Sequence, residues 1–181
     1  MTEEILIAGF GGQGVLSMGQ ILCYSGVMQN KEVTWFPSYG PEMRSGTANC
    51  TAIISDDMIS SPIVNTYDTV IVLNQPSMDK FEQTVKPGGL LIYDSNGITR
   101  HPVRKDITVC VMDASEEAVK MNNTKIMNMI VLGGFLKMKP IIALENVLKG
   151  LAKVLPERYH KLIPLNEQAI HKGMEIIKVV K

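Results

Sequence analysis

Two stretches of this 181-residue chain carry residue types at spacings that could bind or react. The first is EILIAGFGGQG, Glu4 to Gly14, where Gly9, Gly11 and Gly14 fall in GxGxxG register after an apolar run. Glycines there let the backbone turn tightly, admit a ligand where a Cβ would block it, and let the next helix sit close to the strand. A helix starting at such a turn leaves amide N–H groups unpaired, so the turn offers donors to an anion or a nucleotide. The same glycines also serve as a plain packing device, and the register alone does not separate the two readings. The second stretch is PSYGPEMRSGTANC, Pro37 to Cys50, a structured loop with a close Glu42/Arg44 pair and no period of two or of 3.6. Pro37 and Pro41 restrict it in advance, so ordering it against a ligand costs less entropy. Arg44 is a forked donor suited to phosphate or carboxylate, and Glu42 could orient it or meet a partner's base. The plainer alternative is an exposed ion pair of little value.

No catalytic constellation accompanies these loops. His101, His160 and His171 are scattered, and the chain has no GxSxG, HExxH or GxxxxGK[ST] pattern. Cys23, Cys50 and Cys110 lie far apart and outside any CxxC pair. That argues against a zinc or iron–sulfur site built by this chain alone and reads as small buried hydrophobes. No catalytic residue and no metal ligand is therefore assigned, which suits a binding domain or one subunit of a larger enzyme.

The elements that must hold the two loops follow from periodicity. Ile5 to Ala8 is uninterrupted and apolar, as in a strand buried on both faces of a parallel sheet. Val15, Met18, Ile21, Leu22, Ser25 and Met28 recur at threes and fours, giving a helix to about Gln29 that Asn30 stops. Glu32 to Phe36 reads as a second strand closed by Pro37. A nicotinamide-binding unit needs a carboxylate at the end of that strand, and this one ends in Phe36, Pro37 and Ser38, so an NAD site loses its support. Thr47 to Ser55 reads as a third strand, turned at Asp56 and Asp57 and returning through Met58 to Ile63 as its antiparallel neighbour. Further strands are expected at Thr69–Leu73, Leu90–Tyr93 and Ile107–Met112. Helices are expected at Met78–Val85 with Ser77 as cap, at Glu116–Met121 capped by Asp113 or Ser115, at Thr124–Met138, at Ala143–Leu155 and at Asn166–Val180. The whole is expected to be a single-domain α/β protein over 1–181, a Rossmann-like open sheet, mixed but mostly parallel, with flanking helices. In such a sheet ligands sit beyond the carboxyl ends of the strands, so the Gly11 turn, the Tyr39 loop, Asn74/Gln75 and Asp94/Ser95 could face one crevice, or serve only as caps and turns.

Lys plus Arg and Asp plus Glu both number 18, a balance that argues against nucleic acid or an anionic membrane as partner. The acidic start MTEE shows no secretory signal, and the apolar-rich stretch Ile126 to Leu136 falls short of the roughly 20 residues a bilayer span needs. A cytoplasmic location is the expectation. The 12 methionines suit an irregular core with some left for partner surfaces.

Taken together, GFGGQGV (Gly9 to Val15) and PSYGPEMRSGTANC resemble the gamma subunit, or gamma domain, of the 2-oxoacid:ferredoxin oxidoreductases, whose pattern runs GxGGQG and then YGPExRGG. LNQPS (Leu73 to Ser77) and KIMNMIVLG (Lys125 to Gly133) are similar to that family's NQ and NM positions. Ser45 departs from the pattern's glycine. The resemblance implies oxidative decarboxylation of a 2-oxoacid with coenzyme A to acyl-CoA and carbon dioxide, with reduction of ferredoxin. It also implies thiamine diphosphate, magnesium and iron–sulfur clusters on alpha, beta and ferredoxin-like delta partners. Gly11, Gly12, Gln13, Gly14 and Arg44 are implied to help hold an anionic ligand such as coenzyme A. Tyr39, Gly40, Pro41, Glu42 and Gly46, with Asn74 and Gln75, are implied to form a partner or ligand loop. PEMRSGTANC leans towards the 2-oxoglutarate type, and the isolated chain could pair with itself. The rival reading is a stand-alone nucleotide- or anion-binding module without redox partners.

Overall fold

The computed structural model describes residues 1–38 and 46–181. Expectations that rest on Tyr39, Gly40, Pro41, Glu42, Arg44 and Ser45 lie outside the described residues. The frame is one seven-stranded sheet in the order β2-β3-β1-β4-β5-β6-β7. Its strands are β1 (Thr2–Phe10), β2 (Glu32–Ser38), β3 (Thr47–Ser55), β4 (Tyr67–Val72), β5 (Val85–Asp94), β6 (Thr108–Met112) and β7 (Lys178–Val179). The helices are α1 (Val15–Met28), α2 (Gln75–Phe81), α3 (Ala114–Lys120), α4 (Met127–Met138), α5 (Leu144–Val154) and α6 (Ile163–Ile176). Strands β1, β4, β5 and β6 run parallel, while β3 lies antiparallel to both β1 and β2, and β7 antiparallel to β6. The sheet is thus mixed and mostly parallel, as the apolar runs imply.

The source of the mixing differs from expectation. No strand runs through Met58 to Ile63; β3 instead inserts between β1 and β2, with Ile7 opposite Cys50 and Trp35 opposite Ala52. Its every-residue burial from Cys50 to Ser55 fits a strand with neighbours on both sides rather than the first arm of an edge hairpin. As a result β2 is an edge strand and never adjoins β1, so it could not carry a ribose-binding carboxylate to the glycine turn.

Alternation distributes the side chains to two faces. Ile5, Ile7, Ile71, Ile92 and Met112 face the larger core under α1, α3, α4, α5 and α6. Leu6, Val70, Val72, Leu91 and Tyr93 face a smaller one closed by α2 and its neighbouring segments. Helices α4 and α6 meet at backbone distance: a Cβ on Gly133 would stand 1.9 Å from the Ile170 carbonyl oxygen, and one on Gly173 1.8 Å from that of Ile130. The C-terminal helix stops at Ile176, sooner than its apolar period implies, because Lys178 and Val179 pair with Val111 and Cys110 at the sheet edge. Cys23, Cys50 and Cys110 are all buried. Burial pushes the Cys23 and Cys50 thiols up to about 12 and Cys110 up to about 11. No described helix is long and apolar enough to cross a membrane.

Candidate functional site

The glycine turn forms where β1 must hand over to α1 without a straight exit. Gly12 has φ 90° and Gly14 φ 75°, conformations that L side chains resist. The two positions differ in surroundings. A Cβ on Gly12 would meet nothing within 4 Å, whereas one on Gly14 would lie 2.4 Å from Asn128 Nδ2. Gly12 is therefore open to solvent and Gly14 is packed. Gly14 is also the N-cap of α1 and offers no side-chain cap, so the first-turn amides have no acceptor within the helix.

Gln13 works inward. Its Oε1 accepts from Phe10 N at 2.6 Å and its Nε2 donates to the Leu73 carbonyl at 3.2 Å. The amide thereby spans the carboxyl ends of β1 and β4, where the chain leaves to opposite faces of the sheet. That is the switch point at which open α/β sheets usually present a crevice. Here the Gln13 side chain closes it, and Leu73 N adds a bond to Ala8 O at 2.9 Å.

The far end of the second motif joins the first. Gly11 N donates to Gly46 O at 2.6 Å, and Phe10 pairs with Thr47 across β1 and β3. Gly46 itself has φ 93°. The antiparallel β1–β3 pairing delivers this contact, since it returns the chain to the rim from which α1 departed.

An open cleft of about 680 Å³ lies beside the turn. Gly12 and Gln13 form one wall, Ser95 and Asn96 beyond β5 another, and Ser115, Glu116, Val119, Thr124 and Met127 the rest. Asp94 sits beneath it, buried, and accepts from Ser115 N at 3.3 Å and from the Ser115 hydroxyl. Burial raises the Asp94 carboxyl above its ordinary range, and the bonds from Ser115 and Ala114 partly oppose this. The carboxylate thus caps α3 from the neighbouring strand; of the two expected caps, Ser115 lies inside the helix, and Asp113 occupies the N-cap position without a side-chain cap bond and instead accepts from Ser95 Oγ at 2.5 Å. On the rim Glu116 pairs with Lys120 at 2.9 Å. Asn128 lies behind the turn and donates from Nδ2 to Gly14 O at 3.2 Å.

Asn74 and Gln75 serve the scaffold. Asn74 is buried and its Oδ1 accepts from Ser77 N at 2.8 Å, so Asn74, and not Ser77, caps a helix that begins at Gln75. Its Nδ2 is buried without a partner among the described residues. Gln75 Oε1 accepts from Thr99 N and Arg100 N at 2.7 and 2.9 Å and does not line the cleft. The structure therefore brings Gly11, Gly12, Gln13, Gly14, Gly46 and Ser95 to one rim and sets Gln75 apart from it. Sequence reasoning passed over Ser115, Thr124 and Met127 as cleft residues, because nothing in their spacing distinguishes them from a helix cap and a core face.

The family model described as pyruvate ferredoxin/flavodoxin oxidoreductase matches residues 4–176. The ketoisovalerate oxidoreductase subunit VorA of Methanothermobacter thermautotrophicus is 34% identical over 172 residues, covering 95% of this chain and 36% of that protein. The chain thus spans about a third of the length of that relative. The 2-oxoglutarate synthase subunit KorC of Methanocaldococcus jannaschii is 31% identical over 184 residues, 98% of this chain and 95% of its own. Two solved structures share the fold, each with a TM-score of 0.84. One is the gamma subunit of a keto/oxoacid ferredoxin oxidoreductase from Geobacter sulfurreducens, 24% identical over 97% of this chain and 96% of that one. The other is the 2-oxoglutarate:ferredoxin oxidoreductase of Magnetococcus marinus with 2-oxoglutarate, coenzyme A and succinyl-CoA bound, 22% identical over 95% of this chain and 30% of that one.

Proposed function

The chain belongs to the pyruvate ferredoxin/flavodoxin oxidoreductase family, and from that membership we propose that it is the gamma subunit of a 2-oxoacid:ferredoxin oxidoreductase, an enzyme part that is not catalytic alone. The complex would decarboxylate a 2-oxoacid oxidatively and pass the acyl group to coenzyme A. Thiamine diphosphate, magnesium and the iron–sulfur clusters belong, in this reading, to alpha, beta and ferredoxin-like delta partners in the cytoplasm. Residues 1–181 act as one gamma-type domain.

The observation that carries the reading is the Gly11 N to Gly46 O bond of 2.6 Å, which ties the two signature loops into one rim beside an open cleft. The residues present fit an anionic ligand such as coenzyme A. Gly12 has no side chain and open space in front of it, and the first-turn amides of α1 favour negative charge. The cleft's own acid, Glu116, is already paired with Lys120. In this role Gly11, Gly12 and Gly14 shape the turn, Gln13 locks it from behind, and Arg44 supplies the positive charge. Tyr39, Gly40, Pro41, Glu42 and Gly46 are assigned to the loop that would meet the partner chains or the ligand. Coenzyme A in the Magnetococcus marinus relative of the same fold supports this ligand class. Relatives named for ketoisovalerate and for 2-oxoglutarate both align along almost the whole chain. We read the substrate as 2-oxoglutarate on the PEMRSGTANC motif and on the KorC match, which spans nearly all of both chains.

Arg44→Ala in the assembled complex tests the ligand role: the apparent KM for coenzyme A should rise while the partner chains still copurify. An unchanged KM with unchanged assembly removes Arg44 from the site. Tight nucleotide binding by the isolated chain, with no thiamine- or cluster-bearing protein copurifying, would favour the stand-alone module instead.

A further inference from the structure

A second concavity opens on the opposite face of the sheet, where α2 leaves the β5–β6 end uncovered. It is a slot of about 410 Å³ with Tyr93, Ile98, Val109 and Val111 among its lining residues and with His101 and Lys181 beside them. Tyr93 is only 6% exposed, and its hydroxyl, bonded to none of the described residues and not among the fully enclosed unpaired polar atoms, keeps access to the open slot. A largely buried phenol normally spends its hydroxyl on a partner, so one that is unpaired and open to a slot is free to meet a ligand. The alternation of β5 and β6 puts Tyr93, Val109 and Val111 on this face together. No carboxylate side chain lines the slot, and with the Ser95 hydroxyl already given to Asp113 its remaining polar side chains are a phenol, an imidazole and an ammonium, each capable of donating.

We propose that this slot binds a small organic monocarboxylate with an apolar or aromatic body, its carboxylate taken by the Tyr93 hydroxyl and the His101/Lys181 rim. The size fits: pockets for small molecules run from about 300 Å³ upward, and this one holds about 410 Å³. The complementarity fits as well, with aliphatic walls for the body and donors for the charged end. Lys181 Nζ donates to the Arg104 carbonyl at 2.6 Å, which places its ammonium near the opening with further N–H groups to spare. The site is independent of the glycine-turn cleft, although Ser95 lies between the two and lines both.

Phenylacetate is the probe, titrated into the full chain and followed by methyl NMR. Saturable shifts confined to Ile98, Val109, Val111 and Val180 are expected, with weaker binding of the uncharged phenylacetamide. Tyr93→Phe should weaken phenylacetate about three- to tenfold, the worth of one hydrogen bond. Val111→Trp, at a half-buried position able to take bulk towards the opening, should abolish binding. No saturable shift up to roughly 10 mM overturns the proposal, as would be seen if the slot takes only an apolar side chain of a neighbouring subunit. Equal affinity for the amide, or unaltered binding in both variants, overturns it too; Tyr93→Phe keeps the test valid if the tryptophan variant does not fold.

Discussion

Replacing Gly14 by alanine should destabilise the fold through two separable effects. The first is conformational: Gly14 sits at φ 75°, and a Cβ in the left-handed region costs about 1–2 kcal/mol. The second is steric, since the new methyl would lie 2.4 Å from Asn128 Nδ2 and 2.7 Å from its Cγ. Asn128 must then move and lose its bond to Gly14 O, leaving a buried amide unpaired at about 1–3 kcal/mol. The sum, about 2–5 kcal/mol, is a large part of a typical domain's stability of about 5–15 kcal/mol. Asn128→Ala alone should cost only about 0.5–1.5 kcal/mol, because Gly14 O keeps its bond from Met18 N at 2.9 Å. Urea unfolding of the two single variants and the double variant closes the cycle. The double variant should cost less than the sum of the singles, by the steric share. Gly12→Ala is the control: it shares the positive φ but meets nothing within 4 Å, so only the conformational cost applies. Strict additivity in the cycle, or a Gly12→Ala loss equal to that of Gly14→Ala, would refute the assignment of Asn128 as the packing partner of the turn.

Four other outcomes follow from the same contacts. Gly133→Ala and Gly173→Ala each drive a methyl against a backbone carbonyl of the facing helix, so each should lower stability by at least about 3 kcal/mol, read by thermal melts. Glu82→Ala frees Val103 N, Arg104 N and Arg100 from one buried carboxylate, and amide exchange at Val103 and Arg104 should quicken well before the global rate. Asp94 has its folded pKa raised by burial, so its share of stability is full below the unfolded pKa and is lost as pH rises through the folded value; wild type should therefore gain on Asp94→Asn as pH falls from neutral, in paired urea melts. Cys23 and Cys50, with thiols pushed up to about 12, should resist alkylation at neutral pH until denaturant opens the core.

Legibility tracked how locally each feature is encoded. Helix α1 and strand β3 could be read almost to the residue because a helical period and a pair of aspartates mark their ends within the segment itself, while the apolar run Ile5 to Ala8 located β1 but not its extension to Thr2 and Phe10. The partner of β3 was not legible. An antiparallel return after Asp56/Asp57 is the nearest solution in sequence, but Met58 and Ile63 stay exposed while β3 needs an apolar neighbour on each side, and β1 and β2 supply both. The end of α6 was hidden for a related reason: Ile176 and Ile177 continue an apolar pattern that serves a helix as well as the approach to an edge strand. At the site, the glycines announced a turn, yet the sequence could not say which glycine is open and which is packed. That depends on Asn128, more than a hundred residues away in the chain and brought there by α4.

The distinction matters for what the turn can do. A binding loop made only of glycines would be open but slack, and much of any binding energy would go into ordering it. Here the slack is removed from three directions: Gln13 bridges to Leu73, Gly11 bonds to Gly46, and Asn128 holds Gly14. Gly12 is left as the position with neither side chain nor neighbour in front of it. Rigidity around a single open point is what preorganisation requires. If the loop's task is to hold the non-reacting end of a ligand, loosening it should act on affinity before turnover. Gln13→Ala, which cuts the bridge without adding bulk, should therefore raise the complex's KM for coenzyme A more than it lowers kcat, and a fall in kcat at constant KM would point to a role at the reacting centre instead.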